Sequence, residues 1–178
     1  MKHAVLLLLS GAVLAGPDAA PKPADLEAAI REGTAWLRSQ AKEGVFVVKF
    51  EGKEMPSPGH TALALAAVAL SMPADARASD PWVKGACAFL LKAQRDDGAV
   101  SGGQYFDNYF TSAALMALTI VNDPAHAAAR DKMKAFLLKL QRTEEGRAQG
   151  GFGYNDDGPG ADLSNAQFAI EALRAAGI

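Results

Sequence analysis

The sequence is poor in the side chains that most often carry chemistry: one cysteine, three histidines and two tryptophans among 178 residues. With Cys87 alone, no internal disulfide can form. Cys87 falls on the apolar face of a predicted helix, beside Phe89 and Leu90, where a thiol serves as a small hydrophobe. A bridge between two chains is the lesser reading. Zinc is not expected, because His60, His126 and Cys87 lie on different predicted helices and a site needs three or four ligands together. No Gly-x-Ser-x-Gly elbow and no phosphate-cradling glycine motif is present. The stretch Asn155-Asp-Asp-Gly-Pro-Gly-Ala-Asp162 is rich in oxygen but lacks the alternating spacing of a calcium loop. Neither a metal nor a cofactor is therefore expected.

An excess of one charge is also missing. The formal net charge is −2 at pH 7, which leaves no basic footprint for nucleic acid or an anionic membrane surface. Beyond the N-terminus the longest apolar run is Thr61 to Met72, too short to cross a bilayer. The N-terminus itself has the three-part layout of a secretory leader over residues 1–15. Lys2 and His3 precede Ala4-Val-Leu-Leu-Leu-Leu9, and Val13-Leu14-Ala15 offers small residues for cleavage. Residues 16–23 read as an extended, proline-containing linker. The expected location is secreted or periplasmic, with no transmembrane segment once the leader is removed. Residues 24–178 have the usual size of one domain, and 49 % hydrophobic content gives them material for a core.

What the chain does have is a repeat. Three times a helix ending in Gln is followed by a Gly-containing loop and a second helix rich in Ala and Leu. The copies run Thr34 to Gln40, Gly44, Thr61 to Leu65; then Ala88 to Gln94, Gly98, Thr111 to Leu115; then Ala135 to Gln141, Gly146, Ala166 to Ile170. A period of this kind marks stacked supersecondary units sharing one core. The units span about 24–75, 80–122 and 124–178. Six helices are predicted, over 24–41, 58–71, 81–95, 108–121, 127–142 and 163–176. Pro58, Pro73, Pro81 and Pro124 fall at their boundaries. Val45 to Phe50 could make a short hairpin arm.

In the third copy Met133, Phe136, Leu137 and Leu140 give the first helix an amphipathic stripe. Thr61 to Leu70 is apolar all round, the mark of an enclosed helix. First helices should therefore form an outer layer and second helices an inner one. No polar capping copy follows the third. Stacks of this kind need caps, so either a second copy or a partner chain covers the ends or the chain is an arc of something longer; an arc that stands alone is the least expected.

The stretch Lys84-Gly-Ala-Cys-Ala-Phe-Leu-Leu-Lys-Ala-Gln94, followed by Asp97-Gly98, resembles the Gln-Trp repeat of squalene and oxidosqualene cyclases. Lys134-Ala-Phe-Leu-Leu-Lys-Leu-Gln141 with Gly150-Gly-Phe-Gly-Tyr154 resembles it too. The same α/α-toroid superfamily includes the β subunits of protein prenyltransferases. Asp162 to Leu173 looks like the repeats of bacterial secreted proteins similar to these enzymes. The resemblance implies an all-α, toroid-like array of three helical hairpins, an arc whose ring a homo-oligomer or partner chain would complete. The catalytic parts differ. Phe46, Val100 and Phe152 stand where the family has a stacking Trp. Tyr154-Asn-Asp-Asp157 lacks the first Asp of the cyclases' acid motif. Asp162-Leu-Ser164 has Ser where the prenyltransferases hold zinc through Cys, and His60-Thr61 lies in another repeat.

Candidate site residues gather at the starts of the inner helices, which a common winding direction brings to one rim. His60, Asp107, Asn108, Tyr109, Ser164 and Asn165 are the ligand-binding candidates. Helix N-termini present unpaired N–H groups and a positive dipole end, although Asp, Asn and Ser also serve as plain caps. Tyr105-Phe-Asp-Asn-Tyr-Phe110 is the richest aromatic cluster, suited to stacking on a ligand or to filling the core. Asp156, Asp157 and Asp162 are the candidate acids of an enzyme. The expected function is an exported binding or assembly scaffold for an apolar or extended ligand, isoprenoid-like or glycan. The alternative is a terpene-cyclase-like or polysaccharide-acting enzyme whose site is completed by oligomerisation.

Overall fold

The computed structural model describes residues 23–103, 106–155 and 160–178. The chain divides after Gly33 into two compact units. The first enters the described residues only as the opening of α1 (Pro23–Gln40), and the second begins at Thr34, ten residues after the expected start of the repeat domain at 24. The expected leader, and the expected linker up to Pro23, lie outside the described residues. The second unit, Thr34–Ile178, carries β1 (Val47–Phe50), β2 (Lys53–Pro56), α2 (Pro58–Leu70), α3 (Ala74–Arg77) and α4 (Pro81–Lys92). It continues with α5 (Asp107–Val121), a 3-10 turn at Pro124–His126, α6 (Ala127–Lys139) and α7 (Leu163–Ala175). The described residues are thus all-α apart from one hairpin.

All six expected helices are present, and the reasons are local. Pro58 and Pro81 open α2 and α4, where a missing N–H costs nothing. Ser57 and Asp80 cap them by accepting from the His60 and Val83 N–H groups. The hairpin arm also forms: Val47 lies opposite Pro56 and Phe50 opposite Lys53. Glu51 and Gly52 turn it with positive φ of 49° and 81°, as a tight antiparallel hairpin requires.

The inner helices α2, α5 and α7 lie side by side, with α4 packed on α2 and α6 on α5. Met133, Phe136, Leu137 and Leu140, the expected stripe, are all buried. Cys87 is a buried free thiol pushed up to about 12, chiefly by desolvation, so it is an inert core atom as expected.

One expectation about the row is corrected. The apolar helix α2 is not enclosed: Leu63 is 51 % and Leu70 64 % exposed, because α2 stands at one edge of the row. Helix α7 carries exposed Gln167, Glu171 and Arg174 beside exposed Leu163 and Ile170, and Gln167 bonds Glu171.

The copies interlock through the backbone. Thr61 Oγ1 accepts the Phe46 N–H at 3.0 Å, and Thr111 Oγ1 accepts the Val100 N–H at 2.8 Å, tying each loop to its own inner helix. Gln94 Nε2 donates to Gly98 O at 3.2 Å and on to Ala129 O of α6 at 3.0 Å. Gly98, at φ +97°, sits so close to α6 that a Cβ would lie 2.2 Å from Lys132 O. In the third copy the equivalent glycine is Gly150, not Gly146. Gly150 has φ +82°, precedes Phe152 as Gly98 precedes Val100, and accepts from Gln141 Nε2. It has open space where Gly98 has α6.

This difference sets a paired test by urea denaturation. Gly98→Ala is expected to cost about 3 kcal/mol or more, because a clash with fixed helix backbone adds to left-handed strain. Gly150→Ala should show only the strain, about 1–2 kcal/mol.

Candidate functional site

One rim of the inner row opens into a cleft of about 640 Å³, within the range of small-molecule sites. The hairpin forms one wall through Val48, Lys49, Phe50, Met55 and Pro56; Ser57, Pro58 and His60 come from the start of α2. Phe106, Tyr109 and Phe110 come from the start of α5, and Tyr154 from the third loop. The surface is mostly apolar, and Lys49 is its one formally charged side chain among the described residues.

The rings form a connected string. Phe110 lies 6.0 Å from Phe106, and Tyr109 lies 5.8 Å from Tyr154 and 5.0 Å from Phe168 of α7, centroid to centroid. Phe110 is fixed by close approach to α2: a Cβ on Gly59 would lie 2.6 Å from its ring. Offset and edge contacts of this kind hold aromatic faces rigidly. Phe106 and Tyr154 remain well exposed, so the string presents free ring surface to the cleft.

Polar groups border this surface in two places. Ser57 Oγ and His60 Nδ1 are 2.7 Å apart, with Ser57 buried and His60 exposed. A hydroxyl–imidazole pair can exchange a proton or bond the polar end of an apolar ligand. On the α7 side the Tyr109 hydroxyl bonds Ser164 Oγ, which also donates to Asp162 Oδ1 at 3.1 Å. Asp162 caps α7 by accepting the Asn165 N–H at 2.7 Å. That backbone bond, followed by the Tyr154 hydroxyl, holds its carboxyl below the usual carboxylate range. The same contact with Asp162 is the main reason Tyr154 is pushed up to about 12.

The expected site residues therefore separate into two groups. His60 and Tyr109 line the cleft, and Ser164 stands beside it through Tyr109. Asp107, Asn108 and Asn165 face inward instead. Asp107 is buried and paired with Arg95 at 2.7 Å. Asn108 is fully buried; its Nδ2 donates to Gly153 O at 2.7 Å and its N–H to Tyr154 O at 3.0 Å. Its role is to pin the loop that carries Tyr154. Asn165 is likewise fully buried. Asp162 is the capping acceptor at the start of α7. Asp156, Asp157 and Tyr105 lie outside the described residues. Sequence reasoning missed Ser57, Tyr154, Phe168 and the hairpin wall as parts of one site. The signal for Ser57 was its place three residues before His60.

No group of three His, Cys, Asp or Glu side chains comes together among the described residues. None of their helices is long and apolar enough to cross a membrane.

The lowered Asp162 fixes the sign of a pH effect. Its folded value lies below its unfolded one, so its stabilisation is complete above the ordinary carboxylate range and is lost as pH falls through the lowered value. Urea midpoints measured between about pH 6 and pH 3 should fall with acid, since unfolded carboxylates titrate near 4. Asp162→Asn should flatten that limb without abolishing it, because Asp80 is lowered too: desolvation opposes the shift, but the Val83 N–H and Arg38 together outweigh it.

Comparison with known proteins returned no match to a family model, a curated protein or a solved structure.

Proposed function

We propose that this chain is an exported member of the squalene-cyclase/prenyltransferase-like repeat group, an arc of an α/α toroid. It binds an apolar, isoprenoid-like ligand in the aromatic cleft at the rim of its inner helices. The single observation that carries the binding reading is the connected string of rings facing a roughly 640 Å³ cleft with one charged lining residue. Lys49 and the Ser57–His60 pair lie on the cleft wall where a polar ligand end can be met. The arc reading is supported by the recurring loop-to-threonine bonds and by the two layers of helices. Export, to the periplasm or beyond, is supported by the leader-like composition of residues 1–15.

A binding role is supported by the mostly apolar, ring-lined surface of the cleft. A glycan is the second reading, favoured by the exposed faces of Phe106 and Tyr154, since sugars stack on open rings.

Calorimetry with farnesol and with cellohexaose tests the proposal. Farnesol should bind, and Phe106→Ala or Tyr109→Ala should weaken it about tenfold, the loss of one stacking contact, with unchanged circular dichroism. Binding of cellohexaose in place of farnesol would transfer the site to glycans. Binding of neither would sink the ligand reading, and release of a converted product from either probe would make the chain an enzyme.

A further inference from the structure

Three hydroxyls line the cleft, those of Ser57, Tyr109 and Tyr154. The two tyrosine hydroxyls are committed to the start of α7, Tyr109 to Ser164 and Tyr154 to Asp162. Ser57 is the one bonded to a base: its Oγ lies 2.7 Å from His60 Nδ1. Capping does not account for that contact. As the cap of α2, Ser57 Oγ accepts the His60 N–H at a long 3.4 Å, and Asp80 and Asp162 cap α4 and α7 without an imidazole. With a lone pair taken by the backbone N–H, the hydroxyl hydrogen is left to donate to Nδ1 in the tautomer that carries its proton on Nε2. The serine is also held in place. Its N–H donates to Phe46 O at 2.8 Å, and its carbonyl accepts the Thr61 N–H at 3.0 Å. Ser57 is buried whereas His60 is exposed, so water can reach the pair.

We propose that Ser57 and His60 are a nucleophile and its general base, and that they hydrolyse carboxylic esters bearing a long apolar chain. The choice of chain rests on the apolar-ligand reading of the cleft; the pair itself rests on the geometry above. A serine hydroxyl within hydrogen-bond reach of an imidazole, in a cleft that water can enter, is the arrangement that activates a weak nucleophile. In the first half-reaction Ser57 Oγ bonds to the ester carbonyl carbon while its proton passes to His60 Nδ1. The bond from that carbon to the alcohol oxygen then breaks, and the alcohol leaves with the proton. In the second, a water molecule gives one proton to Nδ1 and its hydroxyl to the acyl carbon. The Ser57 ester bond breaks, Oγ recovers the proton and the free acid departs. Both attacks take place at the N-terminal end of α2, a helix of 13 residues. Its positive dipole end favours the negative charge that develops on the carbonyl oxygen. Phe106 and Phe110 line the same cleft and offer the apolar chain a surface.

Hydrolysis of p-nitrophenyl octanoate and p-nitrophenyl acetate by the full chain tests it, together with covalent labelling by an alkyl fluorophosphonate mapped by peptide mass spectrometry. The wild-type chain should release p-nitrophenol above the buffer rate, faster from octanoate than from acetate, and the label should fall on Ser57. His60→Gln should slow turnover about a hundredfold or more, the contribution of a positioned base. Ser57→Asn should be inactive and unlabelled with an unchanged thermal midpoint, because Asn keeps an acceptor for the cap. The label on the wild-type chain decides even if that variant folds poorly. No turnover and no label would overturn the pair, and farnesol binding in the same preparation would then leave the ligand reading standing. Turnover that survives Ser57→Asn, or a label on another residue, would overturn the pair as well. Ser57 labelled with equal rates on the two esters would uphold the nucleophile and overturn the apolar reading from which its substrate class is taken.

Discussion

The structure depends on the seating of one copy's loop against the next copy's outer helix. Gly98 can meet the Lys132 carbonyl only because it has no Cβ, and Gln94 spans the same contact to reach Ala129. Backbone laid on backbone allows no slack, so the relative position of the two copies is fixed by covalent geometry rather than by adaptable side chains. The threonine bonds from Phe46 and Val100 then lock each loop to its inner helix. With loops held at both ends, the starts of α2 and α5 are brought to a common rim. The aromatic cleft is a consequence of that register: Phe110 finds Gly59 across the α2–α5 contact, and Asn108 draws in the loop that supplies Tyr154.

The same interlock explains why the polar residues at the helix starts divide as they do. Where a loop must be held, as by Asn108, or a charge neutralised, as in Asp107 with Arg95, the side chain turns inward and becomes structural. Where the rim faces the cleft, the residues are rings, a hydroxyl and an imidazole. An apolar surface of this breadth, bordered by a few hydrogen-bonding groups, is suited to holding a ligand by area and to orienting it by one end.

Much of this was legible in the sequence. Helix periodicity and proline positions located six helices, because amphipathic stripes and helix starts are local properties. The hairpin was visible in Val45 to Phe50, but its place as a cleft wall was not, since that depends on how the first loop folds back. Gly146 stood nearer than Gly150 to the expected spacing after Gln141, yet the third loop carries extra residues, and only backbone conformation identifies the true equivalent. Asp107 and Asn108 read equally as ligands or as internal ties; burial, a tertiary property, decides between them. Enclosure of α2 was read from composition, whereas exposure depends on whether a neighbour stands beside it.

The central claim is that the rings at the start of α5 and the hairpin wall hold an apolar ligand. Photo-crosslinking with a benzophenone-bearing farnesol analogue, mapped by peptide mass spectrometry, addresses it most directly. The expected result is labelling concentrated on the hairpin at Val48 to Pro56 and on Phe106 to Phe110, and displaced by unlabelled farnesol. Label spread evenly over the chain, or confined to surfaces away from the rim and indifferent to competitor, would contradict it.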